Sequence, residues 1–256
     1  MKLTHKLCGA VLVAAAGVAI AAPSATQALE GTRNGTADIE FTKNTSEDTT
    51  MTDPTGTRKP DTGSEIDPTH VDEFGIIAVT PLDFSSHAAV AAGQSGSFYA
   101  KAHVANRGNA DEYEVENYVA IKDVRSTTDH TYTLTAKLEK QFTAMVDSQE
   151  VTLNGATLTY SNIDVADTLN PGLSPADDKK VFGEAGSGSQ TIALGETKPI
   201  YQNTDPNGGK GRYEVTFGDD AKGTEANSVL LEFGDNVDVR TAQYNATVLW
   251  TLTDGK

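Results

Sequence analysis

Cysteine is nearly missing from this sequence: Cys8 is the only one in 256 residues. It lies at the start of an apolar run, Leu7–Ala22, whereas a lipid-attachment cysteine sits at the end of such a run. Once the leader is removed, the chain has no thiol. That excludes disulfides, thiolate metal sites and a cysteine nucleophile, so stability must come from the packed core alone. Long apolar segments are equally scarce. Leu7–Ala22 is the only one, and it is shorter than the ~20 residues a membrane span needs. Lys2 and Lys6 precede it and Thr26-Gln27-Ala28 comes after it. These features read as a secretory signal peptide, residues 1–28, cut after Ala28.

Positive charge is the third shortage. Lys and Arg total 20 against 36 Asp and Glu, for a net charge of −16. With Lys2 and Lys6 lost in the leader, 18 basic residues face 36 acidic ones, a net of −18. Nucleic-acid binding needs a positive footprint, so no nucleic acid is expected as a partner. Adhesion to anionic lipid is disfavoured for the same reason. Acidity of this kind supplies solubility and self-repulsion. The remaining 228 residues are enough for one large core that buries ~70% of the unfolded surface.

Patterns of catalysis are also thin. His70, His87, His103 and His130 are scattered without paired metal-ligand spacing. Gly186-Ser187-Gly188 lacks the full frame of a nucleophile elbow. Asp205-Pro-Asn207-Gly-Gly209 resembles part of a calcium loop, but Lys210 occupies the position that needs glycine. Carboxylates are too numerous to single out a glycosidase pair. The expectation is a protein that is not an enzyme and has no cofactor or metal.

What the sequence does have is Thr, Val, Gly, Asn and Asp in short alternating runs, with no helical period after the signal. Ala37–Phe41 is a strand candidate. Residues 42–71 have almost no large apolar residue, so 29–73 reads as an N-terminal strand and then a flexible Thr/Asp/Pro-rich leader. An all-β domain is expected over 74–256. Its strands are Gly75–Val79, a run through Phe98–Val104, Tyr118–Val124, Tyr132–Leu138, Thr191–Leu194, Tyr213–Phe217 and Val229–Phe233. Asn154-Gly155, between Val151–Leu153 and Ala156–Tyr160, predicts a type I′ hairpin. Residues 162–190 read as a long surface connection. In Tyr244–Thr253 the side chains of Tyr244, Ala246, Val248, Trp250 and Leu252 share one face, and so apolar a strand is expected to be central. The whole suggests a single β-sandwich or barrel-like domain with long loops.

Four ordered segments carry a family resemblance. Tyr244-Asn-Ala-Thr-Val-Leu-Trp250-Thr-Leu252 resembles the closing motif of the WxL domain of Gram-positive cell-surface proteins, in which a Tyr precedes Trp-x-Leu by six residues. Asp123-Val-Arg125, then Tyr132-Thr-Leu134-Thr, resembles its earlier Asp-x-Arg and Trp-x-Leu-Thr motif. Val79-Thr-Pro81-Leu82-Asp83-Phe84 resembles its Val-Pro-x-Leu-Asp-Phe-Gly segment, and Gly211-Arg-Tyr213 to Phe217-Gly218 resembles another. The departures are Tyr132 for Trp, Ser85 for Gly, Leu249 for Thr and the missing terminal Pro.

The resemblance implies a secreted protein retained non-covalently at the cell wall by binding peptidoglycan. It also implies a complex with other WxL-family proteins and a membrane-anchored WxL-interacting partner. The final residues, Thr251–Lys256, show no apolar tail or sorting signal, which agrees with non-covalent retention. A second reading is an adhesin for host or extracellular-matrix proteins, and a third is a wall hydrolase. The residues expected to bind wall or partner are Tyr132, Leu134, Tyr244, Trp250 and Leu252. Trp250 and Leu252 share a strand face, so they pack a core or line a groove; Tyr132 and Leu134 pose the same choice. Asp123 and Arg125 are expected to form a structural ion pair, with Leu82, Asp83 and Phe84 as further structural motif residues.

Overall fold

A computed structural model describes residues 39–40, 51–52, 60–61, 66, 68–166, 179–181 and 188–256. The signal peptide lies outside them. Met1–Asn44 forms one unit, in which Ile39 and Glu40, the described part of the expected strand 37–41, belong to no strand. Thr45–Lys256 forms the second unit.

Its strands run in the order β1 (Met51–Thr52), β2 (Pro60–Asp61), β3 (Phe74–Val79), β4 (Gly96–Tyr99), β5 (His103–Ala105), β6 (Tyr113–Val115), β7 (Asn117–Asp123), β8 (Tyr132–Val146), β9 (Gln149–Thr152), β10 (Thr157–Tyr160), β11 (Ile163–Ala166), β12 (Lys179–Val181), β13 (Gln190–Ile192), β14 (Thr197–Asn203), β15 (Gly211–Phe217), β16 (Val229–Phe233) and β17 (Asn245–Asp254). Among the described residues the only helical turn is a 3-10 turn at Asp220–Lys222, and no helix is long and apolar enough to cross a membrane.

Three antiparallel sheets enclose the main core. Their orders are β13-β10-β16-β4, β11-β15-β7-β3 and β12-β14-β8-β17, with β9 added to β8. Each ends in two edge strands, so no barrel closes, and the domain is sandwich-like. Side chains alternate as the strand period requires. On β8, Tyr132, Leu134, Ala136 and Leu138 are buried while the residues between them are partly exposed. β7 and β15 are instead buried on both faces. One face of β15 sends Tyr213, Val215 and Phe217 into the main core. A smaller apolar cluster joins Ile77, Ala78, Tyr118 and Ala120 with Ile66 and Val71, two residues of the segment expected to be leader.

Several expectations need correction. The closing strand is an edge of its sheet, not a central strand, because among the described residues β17 pairs with β8 alone. Its apolar face is covered by packing across the core, which the alternation cannot distinguish from flanking strands. The run Phe98–Val104 is divided between β4 and β5, which belong to different sheets. Asn154-Gly155 does form a turn, with Gly155 at φ 75° and Ala156 N–H donating to Leu153 O at 3.1 Å. The turn leads from β9 in one sheet to β10 in another, so it closes no hairpin. The hairpin here is β8–β9, where Val146 pairs with Gln149 around Asp147 and Ser148 at φ 49° and 64°. These are type I′ angles held without glycine. The connection 162–190 contains β11, β12 and the start of β13. β14 has no clear sequence signal, since Pro199 interrupts its pattern; the proline is tolerated where the register with β8 shifts, between Pro199 and Tyr201.

Candidate functional site

Two sheets present their edges to one another. β3 ends the β11-β15-β7-β3 sheet and β17 ends the β12-β14-β8-β17 sheet. At one end they are pinned by a buried charge cluster. The Asp123 carboxylate is 1% exposed and accepts from Arg125 Nε at 2.9 Å and Arg125 Nη2 at 2.7 Å. The Arg125 backbone N–H adds a third bond at 3.2 Å. His130 Nδ1 lies 3.1 Å from the same carboxylate. Arg125 Nη1 reaches Asp254 Oδ2 at 2.6 Å, at the end of β17, and the guanidinium lies over the Phe74 ring at 4.1 Å, at the start of β3. Burial alone would raise the pKa of Asp123. The hydrogen bonds from Arg125 outweigh it and hold the carboxyl below its ordinary value, while Arg125 is pushed up. The expected Asp123–Arg125 pair is therefore part of a larger clasp, whose third member, Asp254, sequence reasoning missed.

Beyond the clasp a cleft of about 1210 Å³ opens between the edges. Ile76 and Val79 of β3 line one side, and Ala246, Val248 and Trp250 of β17 the other. Phe98 of β4 and the buried rings of Tyr160 and Phe217 also line it. The segment 80–90, which carries the Leu82-Asp83-Phe84 motif, runs along it without strand structure. Leu82 and Phe84 turn inward, with the Phe84 ring edge-on to Phe142 at 6.0 Å. Asp83 is exposed; the Ser85 N–H it accepts at 2.8 Å, with help from Lys101, holds its pKa down.

Ser85 has φ 65°. This left-handed backbone explains the glycine that the resembling motif has at this position. A Ser85→Gly variant is expected to be neutral or up to ~1 kcal/mol more stable in urea unfolding. The bond to Asp83 is donated by the backbone N–H and is kept in the glycine variant.

Trp250 has a double position. Its ring stacks on Phe217 at 5.7 Å and meets Tyr160 edge-on at 5.4 Å, yet it is only partly buried and borders the cleft. Tyr244 also lines the cleft, and its hydroxyl accepts from Arg240 N–H at 3.0 Å and donates to Arg240 O at 3.2 Å, closing the loop before β17. Leu252 packs on the core beside the cleft. Tyr132 and Leu134 are enclosed, at 1% and 0% exposure. Tyr132 donates to Gly209 O at 3.3 Å.

The two Trp-x-Leu-like segments are hydrogen-bonded neighbours: Leu252 faces Leu134 and Trp250 faces Ala136 across the β17–β8 ladder. The buried segment thus lies beside the partly exposed one in the same sheet. Residues 28–255 match the family described as WxL domain surface cell wall-binding. The chain belongs to the WxL family. Comparison with curated proteins and with solved structures gives no match.

Membership makes this a surface cell wall-binding domain, and a binding family rather than an enzyme family. Within the WxL frame, the first and last of the four motif segments meet at the cleft, while the second builds the clasp and the strand beside β17. Among the described residues no three His, Cys, Asp or Glu side chains gather as a metal group. Residues 203–209 are tied instead by the buried Asn203, whose Nδ2 donates to His130 O at 2.8 Å, Asp205 O at 3.0 Å and Gly208 O at 3.1 Å. The stack of His87 on Phe98, 4.3 Å between centroids at the cleft, also escapes sequence reasoning; eleven residues apart, the pair leaves no periodic signal.

Proposed function

We propose that this protein is exported and held at the cell wall without a covalent bond, by a peptidoglycan chain seated in the Trp250 cleft. The observation that carries this reading is the indole itself, supported from behind by Phe217 and Tyr160 and still partly open to the cleft. A flat aromatic face covers the apolar C–H faces of a sugar ring. Asp83, Ser86, Gln243 and Asn245 on the exposed rim offer hydrogen bonds to hydroxyl groups. A cleft of this size with apolar walls and a few polar rim groups suits an organic ligand. The family resemblance extends the reading to a surface assembly with other WxL proteins and a membrane-anchored partner.

The charge constrains the mechanism. Wall teichoic polymers are anionic and the chain without its signal carries −18, 18 basic residues against 36 acidic, so bulk attraction cannot retain it and local contacts must. Purified protein mixed with isolated walls is expected to stay in the pellet at a few tenths molar NaCl, where exposed charge contacts are screened over less than ~10 Å. Release at that salt would overturn the reading.

A further inference from the structure

We propose that the cleft takes the uncharged glycan backbone of the wall across two ring platforms, Trp250 and His87, so that it binds a chain of several sugars and not a single one. The inference rests on the wall-binding reading and names the part of the polymer that the cleft fits.

The two platforms are built alike. Trp250 lies on Phe217 with the rings 27° from parallel, and His87 lies on Phe98 with the rings 29° from parallel. In each pair an inner ring covers one face, while the outer residue still borders the cleft, Trp250 partly buried and His87 exposed. A second contact fixes His87. Its Nε2 lies 2.6 Å from Phe84 O. A carbonyl oxygen only accepts, so this nitrogen carries the hydrogen. In the neutral ring Nδ1 is then an acceptor, and among the described residues nothing donates to it. A sugar O–H or N–H can.

Both platforms stand on one sheet. Tyr160 of β10, which meets Trp250 edge-on, faces Val229, and Phe98 of β4, stacked with His87, faces Leu231. Facing residues, and residues two apart on a strand, share a sheet face. Tyr160 and Phe98 therefore rise from the same side. β16 lies between their strands, so these supports are about 9–10 Å apart across the sheet, two strand spacings. Among the described residues no ring contact joins the two stacks. One sugar ring cannot cover both platforms, whereas neighbouring rings of a chain can.

Charge selects among the parts of the wall. Apart from the imidazole, the described lining has two charged side chains, Asp83 and Arg240. Each has its own partner. Lys101 Nζ lies 3.5 Å from Asp83, and Arg240 Nε donates to Asp238 at 2.8 Å. A teichoic phosphate or the carboxylates of a stem peptide would find here no cation without a carboxylate already beside it. An uncharged glycan needs none; it needs flat faces for its C–H groups and a polar rim for its hydroxyls.

Trp250 is the only tryptophan of the chain, so intrinsic fluorescence of the protein without its signal reports one platform directly. The probes are N-acetylglucosamine and its β-1,4-linked tetramer. The tetramer is expected to shift the emission with a half-saturation at least about tenfold below that of the single sugar, because the second platform then acts at high effective concentration. His87→Ala should bring the tetramer near the single sugar's value and leave the single sugar's own value unchanged. His87→Phe keeps a flat ring over Phe98 and should stay within about threefold of wild type. His87 is exposed, so wild-type urea midpoints are expected for both variants. A tetramer that binds no tighter than the single sugar overturns the proposal. So does a His87→Ala protein that binds the tetramer like wild type, or a free stem peptide that displaces the tetramer at equal concentration. If the protein still pellets with walls in any of these cases, the two-platform inference alone falls. If it ignores walls and both sugars, the wall-binding reading falls with it.

Discussion

Replacing Asp123 by Ala is expected to cost about 3–5 kcal/mol of folding stability, the range for removing one partner from a buried ion pair. The carboxylate is enclosed and receives three hydrogen bonds from Arg125. Arg125 is itself only 16% exposed and would keep Asp254 as its remaining counter-charge. The loss would fall on the joint between β3 and β17, because the same guanidinium touches Phe74 and the end of β17. The pH dependence has a definite sign. Asp123 has a lowered pKa in the folded chain, so the unfolded chain binds its proton more readily. The stability it contributes is fully present above the unfolded carboxyl value of ~3.9 and is lost as pH falls through the depressed folded value. Urea midpoints should therefore show the largest gap between wild type and Asp123→Asn above about pH 5, closing on acidification. Asp83, Asp129 and Asp219 are also lowered. They lie at the surface, where solvent screens their contribution. A gap that stays constant down to acid pH would show that shape, not charge, makes the clasp.

The legible part of this molecule was the part written in alternation. The face Tyr244, Ala246, Val248, Trp250, Leu252 is half-buried in the structure and the residues between are exposed, as the period of two requires. Tyr132 and Leu134 were equally visible as a pair on one face. Lateral order was not visible, since an edge strand with a covered face and a central strand with a bare one can carry the same pattern. Turn chemistry misled in both directions. Asn154-Gly155 has the residues of a hairpin but changes sheets, and Asp147-Ser148 makes the hairpin without them. The cleft was hidden for a different reason: Leu82 and Phe84 meet Trp250 and Tyr244 only through tertiary packing of chain segments some 160 residues apart. Motif membership marked the residues of both segments, yet nothing in either one indicated the other. Asp254 shares the face of Leu252 and was available as a charge at the strand end, but only the fold sets it against Arg125.

Trp250→Ala is expected to lower wall retention at least tenfold while the protein still folds. Stability and binding should separate because the indole is shared between core and cleft. A fully buried Trp truncated to Ala costs about 3–5 kcal/mol. Trp250 is only partly covered, so a loss nearer ~2 kcal/mol is expected in urea unfolding. Leu134→Ala gives the contrast. Leu134 is fully buried opposite Leu252, so it should cost about 2–5 kcal/mol yet leave retention per folded molecule unchanged. Trp250→Phe keeps a flat ring against Phe217 and should fall between wild type and Ala in retention, with less loss of stability than Ala. The comparison is made on folded protein, by cosedimentation with walls at a temperature well below each midpoint. If Trp250→Ala and Leu134→Ala lose retention only in proportion to their unfolded fractions, the indole is a core residue that happens to border a cleft. If Trp250→Ala alone loses retention while folded, the ring is the surface on which the wall polymer stacks.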